Sequence, residues 1–453
     1  MTNTIETFSA LDAPEYAPAQ FVRWFREVAP YVHTMRGKTF VVGFGGDLVQ
    51  EGKLNALVQD LSLLTALGVK LVLVFGSRPQ VNEQLRLKGF DFQFGLTVEP
   101  TSAVALECCK EAAGEIRLDI EAAFSQGLPN TPMSNSHIHV ISGNFVTAQP
   151  AGIIDGVDYK HTGKVRKFDI ESIQKALSLG SVVLFGPIGF SPTGEAFNIA
   201  MEELATNIAI SLKAEKLIFM NKSNLLRNEN GEVITEIARA DVDKLLQTSE
   251  QLELDIEFAN YLKQSSRAVR RGVKRAHIIP HDLDGSILLE YFTHDGVGTM
   301  VVEDTLDDLR PATIDDVGAI VSLIEPLEAD GTLVPRGRHI IERDVEKFTI
   351  LEHDGIIYGC VSLMPYPNEK MGEMACLIVH PDWQSSGEGE LLLRHTETKA
   401  RALGLKHLFV LTTRTSHWFI KRGFTQGKVE DLPAEKQMNY NRARNSLIFI
   451  KKL

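Results

Sequence analysis

The sequence predicts an α/β chain in two domains, the first a largely parallel sheet covered by helices on both faces. Three observations carry that reading. From Gly37 to about Val302, strand-sized apolar runs alternate with amphipathic helical segments. An acidic stretch, Glu303 to Arg310, then separates two apolar blocks and reads as a linker. Beyond it, Gly372 to Gly404 reads as a strand, a glycine loop and a helix. A chain of 453 residues is long enough for each domain to bury a core of its own.

Before the first strand, Phe21, Trp24, Phe25, Val28, Tyr31, Val32 and Met35 recur at helical spacing. So broad an aromatic stripe must be buried, on its own domain or against a second subunit. Residues 1–36 are therefore read as an N-terminal segment with an interface helix. Domain 37–302 follows, with strands at Thr39 to Val42, Val69 to Phe75, His137 to Ser142, Val182 to Phe185, Lys216 to Met220 and Ala276 to Ile279. Glycine-bearing turns, Gly43-Phe44-Gly45-Gly46 and Gly76 to Asn82, close the first two strands, where parallel sheets bind phosphates. Residues 303–310 form the linker and 311–453 the second domain.

Composition excludes several classes. No apolar run approaches a membrane span, and Thr2 to Tyr16 lacks a basic-then-apolar leader, so a cytoplasmic protein is expected. A net charge of −12 argues against a nucleic-acid partner. The basic cluster Arg267, Arg270, Arg271, Lys274 and Arg275 reads as a solvated helix face and turn. Cys108, Cys109, Cys360 and Cys376 have neither disulfide nor ligand spacing, and no metal site is expected.

The C-terminal loop carries the sharpest chemistry. Gln384-Ser385-Ser386-Gly387-Glu388-Gly389 places uncovered backbone N–H groups at the head of a helix, where the dipole favours a diphosphate. The strand before it, ending Cys376-Leu377-Ile378-Val379, offers free peptide groups to an extended pantetheine-like arm. The spacing Gln-x-x-Gly-x-Gly resembles the acyl-CoA signature of the Gcn5-related N-acetyltransferase (GNAT) family. Leu309 to Thr313 with Asp315-Asp316, and Trp418 to Phe424, resemble its opening strand and late helix. The resemblance implies a smaller mixed-sheet α+β domain with acetyl-CoA as co-substrate, bound by residues 376–379 and 384–389.

Residues 17 to 302 resemble the amino-acid kinase family, a three-layer α/β/α sandwich, and within it the N-acetylglutamate kinases. Val182 to Pro187, Ala214 to Ile218 and Gly272 to Val302 carry the likeness. The departures point to a silent kinase. Gly43 stands where the family has a lysine for the transferred phosphoryl group, and Met220 to Asn224 lacks the acidic and glycine pattern of the nucleotide loop. The resemblance places an arginine site at His277, Glu290 and Gly296, and helix exchange between subunits into a ring, expected to be a hexamer.

Acetyl transfer needs a base near the amine and a polarised thioester carbonyl. Glu373 is the best-placed carboxylate, with an apolar neighbourhood expected to make it a usable base, and the Cys376 N–H can reach the thioester oxygen. Thr412, closing the strand Leu408 to Thr413, can serve the departing thiolate, while Arg336 and Arg444 suit the two carboxylates of a dicarboxylic amino acid. The pairing of domains resembles the bacterial-type N-acetylglutamate synthase family, through RGKTFVVGFGG, AEKLIF, GEMACLIVHP, VLTTR and HWF in order. It implies acetyl transfer to L-glutamate with feedback by L-arginine. Two alternatives stay open: an active or bifunctional N-acetylglutamate kinase, and a non-catalytic arginine sensor.

Overall fold

A computed structural model of the chain describes residues 18–90, 94–95, 99–127, 131, 133, 138–222, 225–228, 231, 233–247, 255–293, 296–303, 307–353, 355–384, 388–413, 416–442, 444 and 446–453. It divides into two compact units, Met1–Asp304 and Thr305–Leu453.

The first unit is built on an eight-stranded sheet. Its order is Glu236–Ala238, Thr299–Val302, Arg275–Pro280, Lys216–Asn221, Thr39–Phe44, Lys70–Phe75, Val182–Phe185 and Val140–Ser142. Its pairings are parallel except that of Arg275–Pro280 with Thr299–Val302. Strand alternation sorts the apolar residues into two layers. Val41, Val72, Val74, Val183, Leu217 and Phe219 enter one core, and Phe40, Val42, Leu71, Leu73, Leu184 and Ile218 the other. Burial on both faces explains why these strands read as continuous apolar runs. A smaller four-stranded sheet, Ala196–Asn198, Ile188–Phe190, Val146–Pro150 and Gly163–Phe168, had no separate signal in the sequence. The expected strand from His137 starts at Val140, residue 137 lying outside the described set.

The N-terminal helix spans Pro18–Met35. Val28 and Met35 are buried and Tyr31 packs on the sheet core, whereas Phe21, Trp24 and Phe25 stay 58%, 51% and 59% exposed on the single chain. Three of the seven residues of the stripe are therefore uncovered within one subunit. The basic cluster is a paired surface: Arg270 meets Asp243 at 2.7 Å, Lys274 meets Glu215 at 2.9 Å, and Arg267 donates to Asn207.

The second unit is a seven-stranded mixed sheet, ordered Asp307–Pro311, Phe348–His353, Ile356–Tyr366, Met371–Val379, His407–Thr412, Leu447–Lys452 and Thr425–Gly427. Its first strand begins inside the acidic stretch expected to be linker. Leu309 pairs with Leu351 there, and Arg310 is clamped by Asp316 and Glu352, so the charge of Arg310 is structural. A Thr313–Asp316 capping box starts the following helix, Val317–Ala329.

Candidate active site

The sheet of the second unit opens where the loop was expected to need it. Met371–Val379 pairs in parallel with His407–Thr412 only at Met371, Gly372 and Glu373. Beyond Glu373 the two strands part, while His407–Thr412 keeps pairing with Leu447–Lys452 through Thr412. The edge from Met374 to Val379 thus faces a cleft with its peptide groups unclaimed by that neighbour. A bulge marks the divergence: pairing with Ile356–Tyr366 shifts between Cys360 and Ser362, and Cys376 takes φ +50°. A left-handed, non-glycine residue costs about 1–2 kcal/mol, a strain of the kind held at functional sites. It turns the peptide groups of Cys376 away from the regular ladder.

At the end of that edge, the short turn Pro381–Trp383 and Gln384 lead toward the helix Glu388–Ala402. Gln384 donates to the Val379 carbonyl at 2.8 Å and so terminates the strand. Trp383 stacks on Tyr358 with ring centroids 4.1 Å apart. Ser385, Ser386 and Gly387 lie outside the described residues. Gly389 is tightly approached, since a Cβ there would lie 3.3 Å from Trp418. Arg422 lies 3.9 Å from the centre of the Trp418 ring and pairs with Glu390, offsetting the acidic first turn of this helix.

Glu373 sits at the last paired position, with its side chain only 7% exposed. Its neighbourhood differs from the apolar one expected. Lys436, on the short helix Ala434–Met438, donates to both carboxylate oxygens at 2.7 Å, and the Tyr366 phenol lies close enough to feel the Glu373 charge. Burial first, then the Glu373 charge, push the Tyr366 phenol up to about 12. Glu373 is thus a buried, ion-paired carboxylate. Sequence reading missed Lys436 and Tyr366; a lysine 63 positions away on a five-residue helix gives no periodic signal.

Arg336 lies in the same neighbourhood: its charge acts on Cys376 and Tyr366, opposing the burial that raises both groups. Its backbone N–H donates to Glu328, and its guanidinium has no partner among the described residues. Arg444 reaches the same loop through Thr332, donating to that carbonyl, while its buried Nε has no partner among the described residues. Thr412 is buried at the far end of the strand facing the cleft. The structure brings together Glu373, Cys376 and Arg336, adds Lys436 and Tyr366, and leaves guanidinium donors uncommitted.

In the first unit, His277, Glu290 and Gly296 also converge. His277 Nδ1 lies 2.6 Å from Glu290 Oε1, and the other carboxylate oxygen accepts from the N–H groups of Val297 and Gly298 at 2.8 and 2.9 Å. Gly296 has φ +61°, and a Cβ there would stand 2.7 Å from Glu290 Oε2, so the turn requires glycine. Burial first, then Lys216, hold His277 down to about 4, leaving a neutral ring whose buried Nε2 has no partner among the described residues. Burial raises Glu290, but the His277 and backbone hydrogen bonds outweigh it and leave the carboxyl below its ordinary value. At the kinase-type turn, a Cβ on Gly43 would meet Met201 Sδ at 2.9 Å, so packing as well as identity leaves the position without a cation.

A splayed strand pair, a following helix and a buried acid define a GNAT acetyltransferase carried behind an amino-acid kinase-like unit. Comparison with known proteins agrees: residues 38–280 match the amino acid kinase family and residues 344–426 the acetyltransferase (GNAT) domain. An amino-acid acetyltransferase of Ralstonia nicotianae is 57% identical over 434 residues, 96% of each chain. One from Yersinia enterocolitica is 44% identical over 95% of this chain and 98% of its own. The crystal structure of N-acetylglutamate synthase from Neisseria gonorrhoeae with coenzyme A and L-arginine superposes with a TM-score of 0.84 at 35% identity, covering 96% of this chain and 99% of that one. The chain belongs to the amino-acid acetyltransferase family and is an acyltransferase. Among the described residues, no helix is long and apolar enough to cross a membrane.

Proposed function

We propose that the chain transfers acetyl from acetyl-CoA to the α-amino group of L-glutamate, the first step of arginine biosynthesis, under feedback by L-arginine. The observation that carries this reading is the parting of two strands at Glu373, which sets an acid and an open peptide edge side by side. The related Neisseria gonorrhoeae structures, with coenzyme A and with N-acetyl-glutamate, support the choice of substrates.

The free edge Met374–Val379 receives the pantetheine arm, and the helix start at Glu388 and Gly389 receives the diphosphate. Arg336 and Arg444 hold the glutamate carboxylates. Glu373 takes the ammonium proton, directly or through a water, and Lys436 keeps its carboxylate aligned. The amine nitrogen then bonds to the acetyl carbon, the Cys376 N–H steadies the carbonyl oxygen, and the carbon–sulfur bond breaks. The nitrogen, now bonded to the acetyl carbon, gives up its second proton, and the Thr412 hydroxyl passes a proton to the departing thiolate as it takes that one up, so coenzyme A leaves as the thiol and Thr412 is unchanged.

The kinase-like unit is read as catalytically silent and arginine-binding through His277, Glu290 and Gly296. The exposed Phe21, Trp24 and Phe25 support assembly through the N-terminal helix into a ring, read as a hexamer, in the cytoplasm. The test is thiol release from acetyl-CoA across a panel of amino acids. Release with glutamate alone, inhibited by arginine in wild type and not in Glu290→Ala, fits. Release unaffected by the amino acid overturns the substrate; ADP formation from ATP and N-acetylglutamate overturns the silent kinase.

A further inference from the structure

The first unit holds a cavity of about 330 Å³ beside the turns that follow Thr39–Phe44 and Lys70–Phe75, of metabolite size. Turns of this kind usually present backbone N–H groups to an anion. Here side-chain oxygens stand beside the glycines, although none caps a backbone N–H at Gly45 and Gln80 Oε1 accepts no hydrogen bond among the described residues. A Cβ on Gly45 would lie 2.1 Å from Asp47 Oδ1, and one on Gly46 2.1 Å from Gln80 Oε1. A carboxylate and an amide oxygen thus occupy the space over the glycines.

The rest of the wall continues with the same sign. Glu99, Glu202 and Glu257 line the cavity with Asp47. Among the described residues its two cations, Arg78 and Lys222, are already committed. Arg78 lies 3.3 Å from Glu202 and 3.8 Å from Glu257, and Lys222 lies 2.7 Å from Glu51 outside the lining. Glu99 Oε2 is buried with no hydrogen-bond partner in the described structure. Burial first, then Asp47, raise the Glu257 carboxyl above its ordinary value. Four carboxylates that share one cation of the wall, Arg78, are costly to keep charged, and a bound cation relieves that cost.

We propose that this cavity is a binding site for a small organic cation bearing primary ammonium groups, and that it has lost affinity for nucleotides and other polyanions. Glu257 and Glu99 accept from the ammonium groups, and Tyr261 and Ile199 flank the aliphatic body. None of His277, Glu290 and Gly296 lines the cavity, so the site is separate from the arginine constellation.

Titration calorimetry of the full chain with 1,4-diaminobutane, and separately with ATP, tests the sign of the site. The diamine is expected to bind saturably and ATP not to bind. Glu257→Gln should weaken the diamine by roughly tenfold and, having removed an unfavourably buried acid, should melt no lower than wild type. Arg78→Gln should tighten the diamine, because it frees Glu202 and Glu257, whereas an anion site would weaken. Absence of diamine binding overturns the proposal. So does ATP binding that weakens in Arg78→Gln, or diamine binding lost in Glu290→Ala and kept in Glu257→Gln. The Glu257→Gln arm decides the question if Arg78→Gln does not fold.

Discussion

Acid should loosen the first unit at His277, and the size of the effect follows from the structure. The folded imidazole is held to about 4 by burial and by Lys216, against an ordinary 6.5. Between those values the unfolded chain carries a proton that the folded chain refuses. Stability is therefore complete above pH 6.5 and falls as pH drops toward 4. At about 1.4 kcal/mol per pH unit, the whole interval is worth about 3 kcal/mol, of which about 2 kcal/mol is lost between pH 7 and pH 5. Glu290 acts in the same direction lower down: its carboxyl lies below the ordinary 4.5, so its contribution is present above 4.5 and lost as pH falls through the folded value. The measurement is urea unfolding at pH 7, 6 and 5, followed by far-ultraviolet circular dichroism, for wild type and His277→Gln. Titrations away from this pair are common to both proteins, so the difference in their pH slopes reports His277 together with its partner Glu290. Equal slopes in the two proteins would refute a buried, neutral His277.

The second unit yields three further expectations. Glu373→Gln lowers turnover by about 10²-fold to 10⁴-fold with little change in melting temperature, and wild-type turnover would remove Glu373 from the chemistry. Lys436→Met strands a buried carboxylate; because Lys436 is itself 25% exposed, the cost is set at about 2–4 kcal/mol, below that of a fully buried pair. A melting curve superimposable on wild type would contradict it. Arg336→Ala raises the glutamate KM by the equivalent of about 2–5 kcal/mol, read from initial rates; an unaltered KM assigns the carboxylate elsewhere. For the first unit, replacing Phe21, Trp24 and Phe25 together by serine lowers the molar mass seen by light scattering. A mass identical to wild type would show that the exposed stripe is not an assembly surface.

What was legible in the residues is what local physics sets. Strands buried on both faces show as unbroken apolar runs, which is how Thr39 to Val42 and Lys216 to Met220 were placed. Glycine and a preceding strand announced the cleft, and Thr313 with Asp316 announced the cap. Less visible were elements whose partners are distant. The side sheet has strands of three to six residues, too short for periodicity to register. The strand Asp307–Pro311 hid in an acidic stretch because the partner that makes it a strand, Phe348–His353, lies about forty residues further along the chain, as does Glu352, one of the two acids that hold Arg310.

The sequence by itself announced the two-part architecture and the acetyltransferase loop, through residue type and spacing along the chain. Resemblance to known families added the absence of a kinase lysine at Gly43 and supported Glu373, Arg336 and Arg444 as candidates. Only the tertiary structure decided the electrostatic setting of those residues. It put Lys436 on Glu373, buried His277 against Glu290, and laid Asp47 over the glycine turn. The reason is physical: charge interactions depend on distance and burial through space, and chain order fixes neither.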